Sequence, residues 1–136
     1  MIEFFSEDID YTPPTPAKIK SWIEKVIDQE GRDLGDLNFV FCSDPYLLDI
    51  NVRYLDHHYR TDVITFDLSE SNDEIAGDIF ISIDRVKANA QEYQVQLIHE
   101  LKRVMIHGVL HLIGYDDKNA DQKLEMRKKE EAYLSL

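Results

Sequence analysis

The chain has 136 residues and a formal net charge of −12, with 43% hydrophobic and 31% charged residues, which bounds it to one globular domain and excludes a disordered or fibrous chain. Its lone cysteine, Cys42, excludes an internal disulfide framework. There is no basic-then-apolar leader at the N-terminus and no apolar run near the ~18–20 residues of a membrane span, so a cytoplasmic protein with no membrane association is expected.

Ile2–Phe5 reads as a short edge strand. Thr15 and Pro16 then look like an N-cap with proline at the first helical position. Ile19, Trp22, Ile23, Val26 and Ile27 follow at i, i+3, i+4, i+7 and i+8, one apolar stripe of an amphipathic helix. Gly31 is the candidate left-handed cap that ends it. Leu37–Cys42 reads as a strand, with Cys42 as a small buried hydrophobe. Ser43, Asp44 and Pro45 restart a helix that runs to about Leu55.

Asp62–Phe66 is β-branched and aromatic, hence a strand. The acidic stretch Asp67–Glu74 reads as a loop. Gly77–Ile83 is a near-continuous apolar run that suits a central strand covered on both faces. The period then becomes helical: Asp84–Tyr93, Val95–Leu112, a stop at Gly114, and a charge-rich helix over Asp121–Leu134. The order βαβαββααα predicts an α+β single domain, a small mixed β-sheet packed by helices.

The chemistry concentrates between His107 and Asp117. Two histidines four residues apart on a helix project from one face, one turn apart, and so can reach one metal ion. Gly114 can take positive φ and turn the chain back, so that a ligand at position 117 swings in beside them. His107, His111, Gly114 and Asp117 fall at the spacing of the zinc-protease pattern H-E-x-x-H-x-x-G-x-x-H, which makes this a zincin-like metal-binding helix near the C-terminus.

Two positions depart from that pattern. Gly108 stands where the protease has its general-base Glu, so peptide hydrolysis by that route lacks its base. Asp117 stands where the third His would be, and a carboxylate is an accepted zinc ligand. The expected set is therefore His107, His111 and Asp117 around one Zn²⁺, or another divalent ion, with Asp116 as the competitor for the third place. His99 reads as a surface or core histidine.

At these residues the chain resembles the YbeY family of bacterial endoribonucleases and ribosomal-RNA maturation factors. The family signature H-G-x-L-H-L-x-G-Y-D-H is matched from His107 to Asp116 and broken only at Asp117. Asn51, Tyr54 and the run Thr61-Asp62-Val63-Ile64-Thr65-Phe66 resemble a second family patch. Gly77-Asp78-Ile79-Phe80-Ile81 resembles a third.

The resemblance implies a catalytic metal, usually zinc, and cleavage of single-stranded RNA. It implies a task in ribosomal-RNA processing at the small-subunit 3′ end and in ribosome quality control. The implied partners are ribosomal RNA and the ribosome or a basic ribosomal protein, with no DNA. The family's arginine, assigned to an RNA phosphate, aligns with Leu55. Arg60 or Arg53 is then the candidate to supply a guanidinium from the same segment, whose planar fork binds two phosphate oxygens at once. His57 and His58 read first as polar loop residues.

No residue of the motif is an evident general base, so metal-bound water and the substrate's 2′-OH both stay open as nucleophile. A ribosome-assembly factor with a mainly structural metal is the alternative from another class, and a zincin-like peptidase is a third. The charge bears on all of them. Residues 1–78 hold 18 acidic and six basic side chains, residues 79–136 nine of each. A net −12 opposes polyanion binding, so weak, salt-sensitive RNA affinity is expected, confined to the metal face near Lys102, Arg103, Lys118 and Lys123.

Overall fold

A computed structural model describes residues 1–55 and 61–136. The order is β1 (Ile2–Ser6), α1 (Pro16–Gln29), β2 (Asp33–Cys42), α2 (Asp44–Leu55), β3 (Val63–Asp67), β4 (Glu74–Ser82), α3 (Ile83–Glu92), α4 (Leu97–Ile113) and α5 (Ala120–Leu134). The sheet order is β1-β2-β4-β3. β1 and β4 each run parallel to β2, while β3 runs antiparallel to β4. This is the mixed sheet of an α+β fold.

Strand alternation decides what each face carries. Leu37, Phe39 and Phe41 of β2 and Ile75, Ile79 and Ile81 of β4 enter one core with the buried faces of α1, α3, α4 and α5. On the opposite face Cys42, Leu47, Ile50 and Ile64 form a smaller core, against which Phe66 and Phe80 pack. β4 is thus central and covered on both faces, as its apolar run predicts. Burying an aliphatic side chain there contributes about 1.5–3 kcal/mol. Cys42 is fully buried, and burial, followed by nearby carboxylates, pushes its thiol up to about 12, so it acts as an inert hydrophobe.

Several element ends differ from the sequence reading. β2 begins at Asp33 and β4 at Glu74, because Asp33 and Leu34 pair with Glu74 and Ile75 before a register shift ahead of Leu37. In β2 the ladder runs past the buried part at Asp33–Asp36, whereas in β4 the added Ile75 and Ala76 are themselves buried and extend the apolar run beyond Gly77. Thr15 makes no side-chain cap: its backbone is left-handed (φ 43°), not in the extended conformation a cap hydroxyl needs, although Pro16 does open α1. Helix α3 starts at Ile83, one residue early, because Ser82 Oγ accepts from Arg85 N at 3.1 Å. Helix α4 starts at Leu97 rather than Val95, behind the extended Gln96. The α1 stop is as expected, with Gly31 at φ +72° and Arg32 N donating back to Ile27 O.

Candidate metal centre

Helix α4 lies against the sheet because one of its positions has no side chain. A Cβ on Gly108 would stand 2.9 Å from Ile79 Cγ2 and 3.4 Å from Thr65 Cγ2. That close approach brings His107 and His111 up to edge strand β3. At the end of α4, Gly114 takes φ +124°, a conformation L-residues rarely adopt, and its amide donates to Leu110 O at 3.1 Å. The chain reverses, and Asp117 arrives beside the histidines.

The three side chains converge on one point. His107 Nε2 and His111 Nε2 are 3.0 Å apart, and Asp117 Oδ2 lies 3.4 Å from the first and 3.5 Å from the second. This triangle is about the size of one face of a tetrahedron with the ~2.0–2.1 Å bonds of zinc, so the donors fit a small borderline cation. Asp116 is exposed and does not join this group; Asp117 does.

His107 is fixed from behind. Its Nδ1 lies 2.6 Å from Glu130 Oε2 on α5, so Nδ1–H donates to the carboxylate and Nε2 presents its lone pair forward. Burial pushes the His107 pKa down, but the hydrogen bond and charge of Glu130, then Asp62 and Asp117, outweigh it and hold the value above 6.5.

Glu130 is held in turn by Arg103. The guanidinium donates to Glu130 Oε1 at 3.2 Å, grips Glu100 with two bonds of 2.8 and 2.7 Å, and lies 3.5 Å from Asp62. Glu100 and Glu130 are both buried, which only such pairing makes tolerable. Those carboxylates drive the Arg103 pKa upward. Arg103 is therefore committed to carboxylates, and Lys102 lies over the Trp22 ring, 4.5 Å from its centroid.

The metal-side atoms sit in a cleft of about 440 Å³, walled by Asn51 and Leu55 of α2 and by Thr61–Thr65 at and before β3. No Lys or Arg lines it among the described residues. Leu55, where the resemblance expects arginine, is one of the walls. Arg60, His57 and His58 lie outside the described residues.

The sequence reading missed Glu100, Glu130 and Asp62. Two of them left a trace. Met126, Glu130 and Tyr133 form an i, i+4, i+7 stripe with an acid at a core position. Glu100, Arg103 and His107 form a polar stripe at i, i+3, i+7 on an otherwise apolar helix.

Comparison with known proteins places these features in company. The family model described as Endoribonuclease YbeY matches residues 2–136. A protein of Cytophaga hutchinsonii bearing that same name is 51% identical over 99% of this chain and 94% of its own length. One of Amoebophilus asiaticus with that name is 50% identical over 98% of this chain and 90% of its own. A solution structure from Thermotoga maritima superposes with a TM-score of 0.68 at 28% identity, over 99% of this chain and 87% of that one.

Proposed function

The chain belongs to the Endoribonuclease YbeY family, and we propose on that footing that residues 1–136 form one metal-dependent unit that cuts single-stranded ribosomal RNA in the cytoplasm. The task we assign is maturation at the small-subunit 3′ end and quality control of ribosomes, with a ribosomal protein or the ribosome presenting the RNA. His107, His111 and Asp117 would hold one divalent cation, zinc by the softness of two imidazoles and the tetrahedral size of the site. The observation that carries this is the convergence of the three donor atoms, 3.0–3.5 Å apart, on a cleft open to solvent.

A bound cation there supplies Lewis acidity toward a phosphodiester oxygen. The protein's own part is positional. Glu130 keeps His107 in the tautomer that faces the cleft, and Asp117 adds a negative charge that tempers the site. A cleft about 440 Å³ in volume admits an extruded nucleotide more readily than a stacked duplex. Arg60 remains the candidate phosphate contact on its guanidinium chemistry alone.

The test compares metal-loaded wild type with His111→Ala on a single-stranded RNA and on the same sequence in a duplex. Wild type should cleave the single strand and spare the duplex, and His111→Ala should lose both bound metal and cleavage. Intact RNA with wild type, together with unchanged ribosome binding by His111→Ala, would replace the nuclease with an assembly factor.

A further inference from the structure

We infer that Glu30, at the C-terminal end of α1, is a positioning residue for the metal cleft and fixes the seat of Asp117 by holding Tyr115. The inference rests on the ligand set proposed above. Asp117 stands on a link between α4 and α5, residues 114–119, that belongs to no helix or strand. A carboxylate carried on such a link has no ladder to set its distance from two helical histidines.

Two anchors bracket Asp117. On the far side Lys118 N donates to Gln122 Oε1 at 2.9 Å, which ties the end of the link to the first turn of α5. On the near side Tyr115 N donates to Leu110 O at 3.0 Å, and the Tyr115 hydroxyl donates to Glu30 Oε1 at 2.7 Å, 85 residues away in the chain. The second ties the link to α1, beside the packing of Tyr115 against the main core.

Glu30 is built for that load. Its other oxygen accepts from Tyr133 OH and, at 3.2 Å, from Lys129 Nζ, both on α5. The Lys129 ammonium also lies 5.6 Å from the Tyr115 ring centroid and 5.8 Å from that of Tyr133. One carboxylate thus joins α1, the link and α5. Tyr115 is two residues from Asp117 on a link without a ladder, so a Tyr115 held at both its amide and its hydroxyl restricts where the Asp117 backbone can lie. Glu30 does not line the cleft that holds the metal-side atoms and would act only through Tyr115.

Tyr115→Phe and Tyr133→Phe separate positioning from general stapling, since each removes one hydroxyl from Glu30 but only the first frees the link. Zinc affinity is read by chelator competition, the ligand field by the cobalt(II) absorption spectrum, and stability by melting of the metal-free protein. Both variants should lower the melting temperature. Only Tyr115→Phe should weaken zinc, by about 10-fold, and alter the cobalt band. Glu30→Ala should match it, Glu30→Gln should recover most of the loss, and Glu30→Ala combined with Tyr115→Phe should be no worse than Glu30→Ala alone. Wild-type affinity in Tyr115→Phe, or an equal loss in Tyr133→Phe, overturns the positioning role and leaves the ligand set standing. Failure of the wild type to bind one zinc through His111 overturns both.

Discussion

Glu130 tests at a single residue how the candidate ligands are oriented. Its carboxylate is the only partner of His107 Nδ1 among the described residues. Glu130→Ala should lower zinc affinity about 10–100-fold, the usual cost of removing the group that orients a ligating imidazole. Glu130→Gln should lose less, because an amide oxygen still accepts from Nδ1–H; equal affinity in all three proteins would confine Glu130 to a structural role. The same contact predicts a pH signature in metal-free protein. The folded His107 pKa lies above 6.5, so its pairing stabilises fully below that value and is lost as pH rises through the folded value. Chemical denaturation of metal-free protein should show this alkaline loss, and His107→Gln should remove it. Neither Glu130 nor its role was visible as a motif, because its partner is 23 residues away and only folding of α5 onto α4 joins them.

At the scale of elements, α4 is held where it is by two glycines with different duties. Gly108→Ala should cost a net of up to about 2 kcal/mol in urea denaturation, since about 1–3 kcal/mol of overpacking against Ile79 and Thr65 is set against the ~1 kcal/mol gained in helix propensity. A larger residue there is worse still, so the position where a zinc protease carries Glu is closed to one by packing. Chemistry and sterics both argue against a peptidase. Gly114→Ala meets no neighbour but must adopt φ +124°, which costs about 1–3 kcal/mol and displaces the link that carries Asp117. Zinc stoichiometry after dialysis checks it: a stable variant that still holds one zinc would show that the turn does not set the ligand.

For the whole molecule, charge and the Glu30 junction decide behaviour. Burial opposes the charged form of Glu30, but hydrogen bonds from Tyr133, Tyr115 and Lys129 outweigh it and hold the pKa below 4.5. Its contribution to stability is present above about 4.5 and is lost as pH falls through the lower folded value. Glu30→Gln should therefore flatten the acid limb of the stability curve relative to wild type. RNA binding should be weak, but the salt sensitivity expected from the sequence should be shallow, because Arg103 and Lys102 are engaged by Glu100, Glu130 and Trp22. Each phosphate contact on a single strand adds about −0.7 to the log–log slope, and the described cleft wall offers no cation. A slope steeper than about −3 would place several phosphates on basic residues away from this cleft.

The sequence by itself determined what is local. Helical and strand periods set the element order, four-residue spacing set His107 and His111 on one face, and Gly114 with Asp117 completed a ligand pattern within eleven residues. Each of those depends on backbone geometry over a few turns. Only the tertiary structure decided the rest: that β3 is the edge strand beside the histidines, that Asp117 rather than Asp116 meets them, and that Glu130, Arg103 and Glu100 stand behind His107. It also decided that Glu30, far from the motif, carries Tyr115. The pairings of His107 with Glu130 and of Tyr115 with Glu30 join residues brought together by long loop closures and side-chain packing, which no local spacing encodes. The net charge of −12 belongs between the two. Composition fixed its size, and the fold determined that Arg103 and Lys102 of the ligand helix are spent on Glu100, Glu130 and Trp22, while no Lys or Arg lines the cleft among the described residues.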